Sequence, residues 1–437
     1  MSGLKRYVNN LYTTAGLIAA GGFVGTGVGL TVGLFRYLLD KIELRTQYLY
    51  HTFVKDPLVI LLWLLCLSLL GLLLGRLCTD IPAVRGSGIP QVKALIAGQA
   101  AAGKPTVIPI RFAGSLIAAG GGLPLGRAGP SIHLGAAIGQ SLFRLLHRQP
   151  TEETALLLGG AGAGLAAVFG APCAGIAYSW EEFRPKQFRN IIPAISAALT
   201  ANASMHIVFH YGALLSFVPM PVLPKFFYVD LVGLGIVTGL SGIVFTVVLR
   251  YTVRAYASQA WLPIQFRPVI PLTAAGLLAF CLPEALGSGC HLLTEVTHVV
   301  YPLSFLLLLL SAKLGLTLLS FGSGVPGGLF MPVLIIGAIL GNIGGSTLTH
   351  FTGLTPALLP IFTILAMAGF LSAVLRAPLT GFFLSAELCG TYGLLPAALL
   401  VSLSAYLIAV IFPASPLNAL LTDEADRATK TGPAAPD

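Results

Sequence analysis

The chain has 437 residues, of which 56% are apolar and 9% charged, whereas a soluble globular protein is nearer ~45–50% apolar and ~25% charged. Too few ionisable side chains are present to cover a water-facing surface, which excludes an ordinary soluble enzyme. The 25 Lys and Arg against 16 Asp and Glu, a formal +9, would suggest nucleic acid as the partner of a soluble protein, but no nucleic-acid partner is read here. The basic residues gather at the ends of apolar runs (Arg144, His147, Arg148; Arg184, Lys186, Arg189; Arg250, Arg254), as the positive-inside bias of cytoplasmic loops predicts, with anion attraction as a second use.

Residues 7–35, 57–75, 154–180, 190–224, 231–249, 314–375 and 388–422 contain no Asp, Glu, Lys or Arg. A spanning helix needs roughly 20 mostly apolar residues, so the chain is predicted to cross a membrane on the order of ten times. The first apolar run, from near Tyr12, has no small-residue cleavage site and reads as a retained span. Stretches such as Leu306–Leu310 do not alternate apolar and polar residues, which excludes a transmembrane barrel. The expectation is an all-α, multi-pass integral membrane protein whose solvent is the lipid bilayer. It divides into a single membrane domain over 1–421 and a short polar tail over 422–437, with no soluble regulatory module. The six cysteines show no metal-ligand spacing and read as small buried hydrophobes.

The 51 glycines and 29 prolines sit inside apolar segments rather than in linkers. Broken helices at membrane depth survive only where protein buries them or a watery cavity meets them, so such breaks suggest a transport pathway. The second half repeats the first. Pro130, Gly135, Ala136 and Gly139 recur as Pro332, Gly337, Ala338 and Gly341, 202 residues on. Gly86-Ser87-Gly88 recurs as Gly287-Ser288-Gly289, and the Ala171-Pro172 break leading to Glu181 recurs as Ala377-Pro378 leading to Glu387. Repeats of about 10–210 and 228–420 follow, a duplication typical of transporters whose half-helices meet near the midplane.

Three segments share one design: Gly86-Ser87-Gly88-Ile89-Pro90, Gly126-Arg127-Ala128-Gly129-Pro130, and the run from Gly322 to Pro332 that contains Gly327-Gly328-Leu329-Phe330-Met331. Glycines permit a sharp turn, proline favours the first helical turn, and an apolar helical run follows, so each reads as a helix N-terminus. Such an end presents unpaired N–H groups and roughly half a positive charge. Several aimed at one point hold an anion without a buried lysine, weakly enough for it to leave. A single turn of this kind would be no more than a tight bend.

The GSGIP, GR-x-GP and GGLFMP segments, in this order and spacing, resemble the signature motifs of the CLC family of chloride channels and proton-coupled chloride antiporters, over residues ~10 to ~420. The resemblance implies an inverted-topology repeat, a homodimer with one pore per subunit, and a bacterial inner-membrane location. It implies that the Ser87 hydroxyl, in a turn with Gly88, donates to a central anion, with backbone amides supplied by Ile89, Ala128, Gly129, Leu329 and Phe330. Serine at the first of these positions is similar to the chloride-preferring type, with bromide and nitrate as further candidate anions. Glu182 matches the internal proton-transfer glutamate.

Two positions depart from the family pattern. Where antiporters carry the external gate glutamate, this chain has Ala128. A methyl group neither titrates nor blocks, so passive chloride flow without proton coupling is expected. Two origins stay open, a Glu→Ala change introduced into an antiporter and a natural channel-like member. Where the family places a tyrosine near the C-terminal end, the matching stretch Pro416-Leu417-Asn418-Ala419 offers Asn418, whose amide can donate to the anion but is shorter.

Other polar residues have structural readings beside functional ones. Arg127 either draws anions in or is paired; Glu387 reads as structural; Lys313 and Arg376 are expected to pair with carboxylates or face water. His133, His206 and His210 lack metal-like grouping, and neither a metal nor a cofactor is read. An intramembrane hydrolase is the enzyme alternative, but there is no HExxH, and the adjacent Glu181 and Glu182 point about 100° apart on a helix.

Overall fold

The computed structural model describes residues 2–53, 57–98, 107–147, 149, 152–212, 227–259, 261–299, 301–352, 358–390, 392–412 and 417, with side chains from residue 14 onward except 51–53 and 349–352. Asn418, Arg148 and the tail from 422 lie outside the described residues.

The first half comprises α1 (Ser2–Phe53), α2 (Pro57–Asp80), α3 (Ile89–Ile96), α4 (Val107–Gly120), α5 (Ala128–Leu145), α6 (Glu153–Phe169), α7 (Pro172–Phe183) and α8 (Ile192–Phe209). The second comprises α9 (Tyr228–Ser258), α10 (Val269–Ala279), α11 (Cys290–His298), α12 (Leu303–Gly322), α13 (Phe330–Thr352), α14 (Leu359–Leu375), α15 (Pro378–Cys389) and α16 (Leu395–Ile411). Prolines open α7 and α15 in their first turn, where a missing N–H costs nothing. Gly170 and Gly390 close α6 and α15 in the left-handed region.

Packing repeats with the sequence. Helix α1 lies on α8 as α9 lies on α16, α5 on α6 as α13 on α14, and α6 on α8 as α14 on α16. Helices α7 and α15 join the halves. Among the described residues, seven helices are long and apolar enough to cross a membrane, fewer than the ten or so expected. Among the shorter apolar helices that fall below this length, α6 and α14 have 17 residues each and are buried along nearly their whole length. At 1.5 Å per residue such a helix reaches about 25 Å, at the lower end of the length that crosses a bilayer. These two helices form the protein's interior, while α2 turns Leu58, Leu61, Leu62, Leu65, Leu69 and Leu73 outward.

Since lipid tails are as apolar as leucine, helices associate through close backbone packing rather than hydrophobic exclusion. Gly21, Gly25 and Gly29 form such a row on α1, where an added Cβ would collide with the Pro193, Ala197 and Ala201 carbonyls of α8. Gly135 on α5 meets Gly160 on α6 in the same way. The cysteines correct one expectation: Cys78 and Cys389 are buried, but Cys66, Cys173 and Cys281 are exposed and Cys290 is intermediate. An apolar setting in a membrane protein need not be an interior one.

Candidate functional site

The three glycine-proline turns meet. Gly126 and Gly328, which are repeat mates, exchange two backbone hydrogen bonds: Gly126 N–H to Gly328 O at 2.5 Å and Gly328 N–H to Gly126 O at 2.7 Å. Reciprocal bonds between equivalent residues mark a local two-fold axis, as an inverted repeat requires. The Gly86 amide donates to Gly324 O, and Gly327 donates back to Gly86 O, each at 3.2 Å. Gly129 packs so close to the first turn that a Cβ there would stand 2.7 Å from the Ser87 carbonyl oxygen and 3.0 Å from Gly328 Cα. The N-termini of α3, α5 and α13 therefore converge. Ile89, Ala128 and Phe330 are the first residues of those helices, and the opening amides of each have no partner within their own helix.

Each described residue of the expected site is buried. Ser87 is 4% exposed, Ile89 3%, Ala128 0%, Leu329 4% and Phe330 2%. Gly88 takes φ +87°, a left-handed conformation that favours glycine, and its repeat mate Gly289 takes φ +82°. The Ile89 amide is aimed at Ser87 Oγ over 3.4 Å, so it is partly engaged by the serine. Since a hydroxyl both donates and accepts, this contact leaves the Ser87 proton available. Asn418 is not among the described residues, although Leu417 beside it is buried.

A buried cation supports the first turn and packs against its tip, where a Cβ on Gly88 would stand 2.8 Å from Arg111 Nη1. Arg111 of α4, fully buried, donates Nη1 to Gly86 O at 2.9 Å and Nη2 to Ala83 O at 2.5 Å. Its repeat mate Lys313 serves the matching turn, with Nζ donating to Ala285 O at 3.0 Å, Gly287 O at 3.0 Å and Leu286 O at 3.4 Å. Among the described residues Lys313 thus pairs with no carboxylate, and it does not face water, contrary to expectation. Its buried charge is met by three carbonyl dipoles, which would otherwise lack donors. Arg376 likewise donates to the Ala409 and Phe412 carbonyls at 2.9 and 3.3 Å.

Arg127, 1% exposed, is held in place. Its Nη1 pairs with Asp40 at 2.8 Å, and its Nη2 lies 3.7 Å from Glu43 and donates to Cys290 Sγ at 2.9 Å. Glu43 in turn accepts the amide and hydroxyl of Ser288, the repeat mate of Ser87, at 3.1 and 2.8 Å. The second repeat's copy of the serine turn therefore carries one of the chain's own carboxylates. Of the two readings of Arg127, the paired one is seen.

Glu181 and Glu387 cap each other's repeat. Glu387 accepts the Cys173 and Ala174 amides that open α7, both at 2.9 Å, while Glu181 accepts the Leu379 and Thr380 amides that open α15, at 2.8 and 2.7 Å. Glu182 turns elsewhere and pairs with Lys93 of α3. Adjacent glutamates so divided form no acid–base pair. The sequence reading missed Arg111, Lys93, Asp40 and Glu43. Only the first had a signal, since Arg111 and Lys313 stand in the register of the repeat.

Converging helix tips at the centre of a duplicated bundle define a membrane transport protein whose site suits a small anion. The family profile described as "Voltage gated chloride channel" matches residues 70–410. The chain is 33% identical over 353 residues to the "H(+)/Cl(-) exchange transporter ClcA" of Vibrio vulnificus (strain YJ016), covering 78% of this chain and 74% of that protein. It is 30% identical over 432 residues to the protein of the same name from Vibrio campbellii (strain ATCC BAA-1116), covering 94% and 89%. Among solved structures, a slow cyanobacterial Cl-/H+ antiporter superposes with a TM-score of 0.90 at 24% identity, over 95% of this chain and 99% of that one. A CLC-type fluoride/proton antiporter gives 0.75 at 23%, over 92% and 97%. The chain belongs to the CLC family of integral membrane anion transport proteins.

Proposed function

We propose that this protein conducts chloride passively, without proton coupling, through one transport domain (residues 1–421) in each subunit of a homodimer in a bacterial inner membrane. The observation that carries the proposal is the position of Ala128: it is the first residue of α5, fully buried where the three tips converge, and it brings no carboxylate. In this reading the anion is held by the Ser87 hydroxyl, the glycine turn at Gly88, the amides of Ala128, Gly129, Leu329 and Phe330, with a lesser part for Ile89 and a closing contact from Asn418. Preorganised dipoles bind it without a formal counter-charge, which favours passage over trapping.

The inner end of the proton route supports the same conclusion. Glu182, the carboxylate that the resemblance assigns to that route, is engaged in an ion pair with Lys93 through Oε1. Proton-coupled exchange, the activity for which the Vibrio relatives are named, would need an outer acceptor and a free inner donor. Ala128 and the Lys93–Glu182 pair weigh against both.

The test is efflux from proteoliposomes, with chloride and proton electrodes read in parallel and valinomycin present to release the potassium counter-ion. Chloride efflux should proceed with no accompanying proton uptake. Proton uptake in fixed proportion to chloride would refute the uncoupled reading, and absence of chloride flux would refute transport by this site.

A further inference from the structure

Tyr178 on α7 is fully buried, and its hydroxyl has no hydrogen-bond partner among the described residues. Its ring packs edge-on against Phe330, centroids 5.4 Å apart at 72°, and against Phe183 at 5.6 Å and 82°. Phe330 is the first residue of α13 and also packs near Phe169, centroids 6.4 Å apart. Tyr178 also stands one helical turn before Glu182. It therefore lies on the helix that leads from the Lys93–Glu182 pair toward the converging tips.

A structural role accounts for the ring but not the hydroxyl. Phenylalanine would fill the same volume and keep both edge-to-face contacts, whereas a buried hydroxyl without a partner costs stability. Such a cost at a functional site is offset when a ligand supplies the missing acceptor. A phenol suits a small anion, since it donates one hydrogen bond, adds no formal charge, and strengthens when its acceptor is ionic.

We propose that Tyr178 is an anion ligand that sets selectivity, its phenol donating to the halide beside the α13 tip. This rests on the reading of the converging tips as the chloride site. The phenol favours a compact ion able to come within a single hydrogen bond of it, chloride or bromide, over a larger planar one such as nitrate.

The experiment compares the full-length protein with Tyr178→Phe, and with Ser87→Ala as a second variant in the same site. Chloride and nitrate binding are read by titration calorimetry in detergent, and thermal unfolding is read without halide. Tyr178→Phe should weaken chloride binding about tenfold or more, the loss of a hydrogen bond to a charged group, and should weaken nitrate less. Its halide-free unfolding temperature should equal or exceed that of the parent, because only an unpaired hydroxyl is removed. Unchanged chloride affinity in Tyr178→Phe, with Ser87→Ala weakened, would overturn the proposal while leaving the site intact. Equal weakening of chloride and nitrate would overturn the selectivity role. If the parent protein itself binds no chloride, the underlying site reading fails and this proposal with it.

Discussion

Lys93 and Glu182 are joined in an ion pair that ties α3, the helix beginning at the Ser87 turn, to α7. The Glu182 side chain is 4% exposed and that of Lys93 27%, so the pair stands at the margin of the buried region. It links the glutamate to which the resemblance gives proton transfer with the helix whose tip helps form the proposed anion site.

Restoring a carboxylate at the outer position alone should therefore not restore coupling. Ala128→Glu is expected to slow chloride efflux at least tenfold, equivalent to a carboxylate competing for the site by about 1.4 kcal/mol, with no proton uptake. Ala128→Glu combined with Lys93→Gln should show proton uptake alongside chloride. Parallel electrode recordings of the two variants check this. Unchanged flux in Ala128→Glu would mean that this position does not line the path.

Arg111 and Lys313 are equivalent in the repeat but should not be equivalent in function. Either change to methionine strips donors from buried carbonyls and should cost about 3 kcal/mol or more, seen as a lower unfolding temperature in detergent. Arg111 braces the turn that carries Ser87, while Lys313 braces the turn that carries Ser288. Chloride titration should show weakened binding in Arg111→Met and near-parent affinity in Lys313→Met. The reverse order would place the anion in the second repeat.

The exchanged glutamate caps predict a stability effect without a transport effect. Glu387→Ala leaves the first two amides of α7 without an acceptor, a loss of about 2 kcal/mol on the scale of helix caps. Glu181→Ala should cost somewhat more, because the Thr380 hydroxyl also donates to that carboxylate at 2.7 Å. The half-temperature for loss of the folded peak in size-exclusion chromatography measures both. Anion selectivity should match the parent in each case.

Gly129→Ala tests the close approach of the tips. Its methyl would press on the Ser87 carbonyl and on Gly328, at a cost of about 1–3 kcal/mol for overpacking. The displacement of the Ser87 turn should reduce chloride efflux at least as much as it reduces stability. Gly233→Ala, where nothing lies within 4 Å of an added Cβ, is the neutral control.

Much of the site was legible because its geometry is local. A left-handed turn demands glycine, and the first turn of a helix accepts proline, so Gly86-Ser87-Gly88-Ile89-Pro90 declares a helix start wherever it occurs. The duplication was legible for the same reason, since both copies need the same breaks at the same intervals. Lys313 was misread because a charge in an apolar run was expected to seek a carboxylate or water. Three carbonyls of a distant turn served instead, and nothing near residue 313 in the chain announces them.

By itself, then, the sequence determined the all-α membrane class, the repeated halves, and the three helix tips, each set by backbone preferences acting within a few residues. Tertiary structure alone decided who meets whom: Gly126 with Gly328, Glu181 with α15, Lys93 with Glu182, Arg127 with Asp40, and Tyr178 against Phe330. Those partners are separated by 87 to 202 positions in the chain, and backbone preference carries no information over such distances. They are chosen by which faces remain to be satisfied once the helices have packed, where an unpaired charge or amide in a lipid-like interior costs too much to be left alone.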